Sequence, residues 1–84
     1  KSSIVKRVLE YPKSIISIGE SILTNPALRK AVEEIPIQRL LLETDMGEED
    51  LIDTYRAVAE IKSVSLHPLI DSLNQNAKRI FNYE

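Results

Sequence analysis

Glu43 and Asp45 are the side chains in this chain whose type and spacing point most directly to chemistry. They stand two residues apart at the end of Ile35-Pro36-Ile37-Gln38-Arg39-Leu40-Leu41-Leu42-Glu43-Thr44-Asp45, where an apolar run closes in two carboxylates. Side chains at i and i+2 of an extended strand point the same way. The pair can therefore converge on one metal ion, water or substrate group, while Thr44 points away. Three consecutive leucines without polar alternation suit a parallel strand covered on both faces, and the acids fall where such strands open into functional loops.

The elements needed to hold these acids follow from periodicity and from cap signals. Ser3 caps a first helix over residues 3–10, in which Ile4, Val5, Val8 and Leu9 share a face, and Tyr11-Pro12 ends it. Residues 14–18 are short, rich in β-branched side chains and closed by Gly19, which predicts a strand; residues 20–23 are a loop or a turn of helix. Asn25-Pro26 opens a second helix with the apolar stripe Leu28, Ala31, Val32 and Ile35, stopped by Pro36. The second strand, residues 40–43, completes a parallel βαβ unit. After Gly47, the acids Glu48-Glu49-Asp50 suit the start of a third helix carrying Leu51, Ile52, Tyr55, Val58, Ala59 and Ile61, which ends at Lys62-Ser63. Ser65 caps a last helix bearing Leu66, Leu69, Ile70, Leu73, Ala77, Ile80 and Phe81, with Pro68 tolerated in its first turn. Without an internal repeat or a linker, residues 1–84 read as one α/β unit.

The segment from Ile35 to Asp45 resembles the closing strand of the TatD-family metal-dependent hydrolases, in which an Ile-Pro, Arg, Leu-Leu, Glu-Thr-Asp sequence forms the eighth strand of a (β/α)8 barrel. Other matches keep the same order. Ser17-Ile18-Gly19 is similar to the family's seventh-strand ending, and Ala59-Glu60-Ile61 precedes Ser65. Asn76-Ala77-Lys78-Arg79-Ile80-Phe81 resembles its terminal Asn-Ala-x-x-hydrophobic-Phe. The resemblance implies the C-terminal portion of such a barrel, two parallel strands with flanking helices, in a parent enzyme of the deoxyribonuclease type. It implies that Asp45 lies on a divalent metal of unknown identity and helps deprotonate the attacking water. Glu43 would share the site, holding a second metal, orienting water or binding a substrate hydroxyl.

Two departures stand beside it. Many relatives follow the Asp with a longer, Pro-containing loop, whereas Met46-Gly47-Glu48-Glu49-Asp50 leads almost directly into helix, which resembles a divergent branch. The family's early His-x-His pair, bridging Glu and two later histidines have no counterparts. A barrel of this kind takes about 250 residues, so the expectation is a fragment whose partner is the remainder of the barrel. Alone it should be inactive, bind metal weakly, and self-associate, swap domains or repack away from barrel geometry.

Composition sets outer bounds. The chain is 43% hydrophobic and 29% charged with a formal net charge of −2, and it lacks the clustered Lys and Arg that mark phosphate-backbone binders. DNA as substrate thus rests on the resemblance alone. No cysteine is present, so there are neither disulfides nor thiolate metal sites. No signal-peptide or membrane-span pattern appears, and a cytoplasmic origin is the default. His67, the single histidine, precedes Pro68 at a helix start and reads as structural, because one imidazole cannot build a zinc site. Lys78-Arg79, Glu33-Glu34, Glu48-Glu49-Asp50 and Asp53 read as solvated helix charge. Against the hydrolase stands one alternative, a noncatalytic α/β interaction or structural module in which the acidic strand end is incidental.

Overall fold

Ile16, Ser17 and Ile18 form β1 and pair in parallel with Leu40, Leu41 and Leu42 of β2, in the register Ile16 to Leu40 through Ile18 to Leu42. This two-stranded sheet is the centre of a computed structural model that describes residues 3–11, 13–43 and 45–81. Among the described residues four helices flank it, α1 (Ser3–Glu10), α2 (Pro26–Glu34), α3 (Glu48–Lys62) and α4 (Leu66–Phe81), with 3-10 turns at Glu20–Leu23 and Ile37–Arg39. The radius of gyration is 12.2 Å, close to the roughly 12 Å of a compact chain of this length.

Local chemistry explains most boundaries. Asn25 caps α2, its side chain accepting from the Leu28 N–H at 3.1 Å, and Pro26 fills the first turn where no N–H is needed. At the end of α3, Ser63 adopts the left-handed conformation (φ 55°) and the Val64 N–H returns to the Ala59 carbonyl at 3.0 Å, closing the helix as a glycine would. β1 is shorter than the predicted 14–18. The Ser14 hydroxyl donates to Tyr11 O at 2.7 Å and Val8 O at 3.2 Å, so Ser14 caps the C-terminal end of α1 instead of extending the sheet. β2 stops at Leu42 rather than Glu43, although the Glu43 N–H still donates to Ile18 O at 2.8 Å. The proposed Ser3 cap, the Ile4 side chain and Pro12 lie outside the described residues, and so does Thr44.

The core collects on one face of the sheet. Ile18 and Leu40 are fully buried there with Val5 and Val8 of α1, Ile22, Val32 and Ile35, Val58 of α3, and Leu69 and Leu73 of α4. Leu9, Ile52, Ile80 and Phe81, expected on apolar faces, are exposed, and Thr54 takes a fully buried place in α3. The expectation of cover on both faces is corrected as well. Side chains alternate along a strand, and on the second face Ser17 is exposed and Leu41 only half-buried. No helix among the described residues is long and apolar enough to cross a membrane.

Candidate active site at the C-terminal end of the parallel pair

Glu43 continues β2 by one residue beyond its last ladder position and sits at the C-terminal end of both strands. Its backbone is pinned through the hydrogen bond to Ile18, and its exposed carboxylate lies over Gly19, the residue that follows β1. Asp45 is exposed in the bend between β2 and α3. Thr44, which joins the two acids, lies outside the described residues.

Several polar side chains fix the backbone beneath the two acids. Asn76, 3% exposed on α4, donates through Nδ2 to Ile37 O at 2.7 Å and Leu40 O at 2.9 Å, holding both the turn that enters β2 and the strand's first carbonyl. Arg39 reaches back to α1, donating to Val8 O and, at 3.0 Å, to Tyr11 O. Arg79 donates to Gln38 O at 2.6 Å. On the exit side, the Thr54 hydroxyl donates to Asp50 O at 2.6 Å and lies 3.5 Å from Met46 Sδ, which ties the short 43–47 connection to the first turn of α3. A buried asparagine within the apolar stripe Leu69, Leu73, Asn76 was the sequence signal for this clamp, since a polar group there must find partners.

Neither Glu43 nor Asp45 is in an ion pair among the described residues; the two salt bridges join Arg29 to Glu60 and Arg56 to Asp53. No arginine pairs with Glu43 among the described residues. A cavity of about 410 Å3 adjoins Glu43, bordered by Ser17, Leu41, Tyr55, Leu73 and Phe81. Tyr55 titrates above its ordinary value because burial disfavours the phenolate. Among the described residues no group of three or more His, Cys, Asp or Glu is close enough together to hold a metal ion. His67 lies exposed in the first turn of α4, Arg79 is engaged with a backbone carbonyl, and Glu33, Glu34, Glu48, Glu49, Asp50, Asp53 and Lys78 are exposed helix charge.

Two carboxylates without an ion-pair partner among the described residues, at the end where parallel α/β sheets present their chemistry, offer hard oxygen donors that suit a share of a divalent-metal site. Comparison with known proteins gives the same family as the motifs. Among curated proteins nothing matches the chain. The family model described as TatD related DNase matches residues 2–82, all but the first and the last two positions. With the parallel pair, the Ile35 to Asp45 segment and the Asn76 clamp in place, that match shows that the chain belongs to the TatD related DNase family.

Proposed function

We propose that the chain forms the last two strands and flanking helices of a (β/α)8 metal-dependent hydrolase, and that the whole enzyme cleaves phosphodiester bonds in the manner of a deoxyribonuclease. The family match over residues 2–82 carries this reading. The half-open sheet supports it: helices pack one face, while Ser17, Leu41 and Glu43 present the other, as residues that turn into a barrel would. The remainder of the barrel is then the partner that covers this face.

Asp45 would hold a divalent ion through its carboxylate and accept a proton from water at an Oδ atom, while Glu43 orients that water or binds beside it. A bound ion would acidify the water and polarise a phosphoryl oxygen. Two carboxylates are too few to fix an ion in catalytic geometry against bulk water, so the isolated 84 residues should bind metal weakly and show no activity.

The test uses the full-length polypeptide that contains this segment. It should hydrolyse a phosphodiester in a chelator-sensitive way, and Asp45→Asn should lower the rate on the order of 100-fold while leaving the circular dichroism unchanged. An inactive polypeptide, or an Asp45→Asn variant as active as the wild type, would favour the noncatalytic module.

A further inference from the structure

We propose that Gly19 is a positioning residue whose missing side chain keeps a seat for the Glu43 carboxylate. A Cβ built at Gly19 would lie 3.0 Å from Glu43 Oε2, 3.1 Å from Cδ and 3.2 Å from Oε1. All three head-group atoms approach together, so the carboxylate lies across the Gly19 Cα. The register explains the meeting. Ile18 pairs with Leu42, and the Glu43 N–H donates to Ile18 O, so Gly19 and Glu43 are the next cross-strand neighbours on the face that also carries Ser17 and Leu41.

Backbone conformation does not call for glycine here. Gly19 has φ −108° and ψ −170°, an extended geometry that any residue adopts. The second glycine, Gly47, makes the contrast: a Cβ there would meet nothing within 4 Å. Both sides of the seat are held. Ile22, fully buried, donates its N–H to Gly19 O at 3.2 Å, and the Glu43 backbone is held by Ile18. The carboxylate itself is the far end of a flexible, exposed side chain. An added methyl group would therefore move the carboxylate rather than the backbone, and the change would fall on orientation, not on folding. Replacing glycine in an unstrained extended position should even favour the folded state by restricting the unfolded chain.

This inference deepens the reading of Glu43 as a site carboxylate and rests on it for its catalytic consequence, but the seat is testable without it. In the 84-residue chain, Gly19→Ala should shift the Glu43 Cδ and Hγ resonances and change its side-chain couplings, with an unchanged or raised urea midpoint. Gly47→Ala should leave those resonances in place. Unmoved Glu43 resonances in Gly19→Ala would overturn the seat. If Gly19→Ala instead lowers the midpoint, the double variant with Glu43→Ala decides: recovery supports the carboxylate as the group in the way, and no recovery overturns it. In the full-length polypeptide, Gly19→Ala should reduce kcat on the order of 10-fold or more, with a smaller change in KM, as expected for a misplaced group. A wild-type polypeptide without phosphodiesterase activity would overturn the hydrolase reading and leave the seat to the resonance data.

Discussion

Asn76→Ala should be the most damaging single truncation at the base of the site. The carboxamide serves two backbone carbonyls at once, Ile37 O at 2.7 Å and Leu40 O at 2.9 Å, from a residue that is 3% exposed. Leaving a buried carbonyl without a donor costs about 1–3 kcal/mol; Ile37 O keeps the Leu40 N–H, so the loss falls mainly on Leu40 O and should be about 1–3 kcal/mol. Domains of this size have roughly 4–13 kcal/mol of stability in all. With a urea slope of about 1 kcal/mol/M, the midpoint should fall by about 1–3 M. Asn76→Asp tests the donors separately from the shape. It keeps the volume but turns oxygen toward both carbonyls and buries a charge, so it should be the worse variant at pH 7. Its folded state favours the protonated acid, which can donate once, so its folded-state pKa is raised. The sign follows: stability should be recovered below the ordinary carboxylate range and lost as pH rises through that raised value. A loss under about 0.5 kcal/mol in Asn76→Ala, typical of an ordinary surface change, would refute the clamp.

Other outcomes follow from single observations. Lys62 Nζ donates to Val32 O at 3.0 Å, Glu33 O at 3.1 Å and Ile35 O at 2.5 Å, closing the C-terminal end of α2; Lys62→Met should cost about 1–2 kcal/mol in urea unfolding. Desolvation lowers the Lys62 pKa from its ordinary 10.5, opposed in part by Glu33. The folded chain then binds fewer protons, so this residue's contribution to stability should rise with pH across that window and vanish in Lys62→Met. Tyr55 acts in the opposite direction: burial raises its pKa above the ordinary 10.0, so stability should be lost as pH climbs from there through the folded value, and Tyr55→Phe should remove that loss. Ser63 holds φ 55° at the end of α3, and Ser63→Gly should raise stability by about 0.5–1 kcal/mol in the same unfolding assay.

The strands and helices were legible because local signals agree with the fold. Asn25-Pro26 marks a helix start from composition alone, and the contrast between 3.6-residue stripes and a leucine run separates α2 from β2. Contacts between distant residues were not legible. Ser14 belongs to the strand by propensity, yet its hydroxyl finds the open carbonyls of α1, a partner set by tertiary placement. The pairing of Glu43 and Asp45 rests on strand alternation, whereas the described ladder runs from Leu40 to Leu42 and Asp45 stands at a bend. In the sequence Gly19 marks only a strand stop, whereas its space against Glu43 depends on the register of two strands separated by a whole helix.

The cations that fix the backbone at the entry side of the sheet are directed at carbonyls, not at acids. Arg39, Lys62 and Arg79 each donate to backbone oxygens at the ends of α1 and α2 or at the entry to β2. Their charge complements helix C-termini and satisfies orphan carbonyls, and it leaves Glu43 and Asp45 without a protein counterion among the described residues. A carboxylate in that state attracts an external cation; one already paired does not. Supplying the missing pair should therefore weaken the hold on a cation without harming the fold. Ser17 lies on the same face as Glu43 and borders the same cavity, diagonal to it across the strands. Cross-strand diagonals of about 7–8 Å are within reach of a lysine. Ser17→Lys should form an exposed ion pair with Glu43 worth no more than about 1 kcal/mol. In the full-length polypeptide it should raise the metal concentration needed for half-maximal activity by up to about fivefold. Ser17→Met, similar in length and uncharged, should leave that concentration nearly unchanged. Equal effects of lysine and methionine would mean that bulk on the open face, not the free charge of Glu43, is what the site cannot accept.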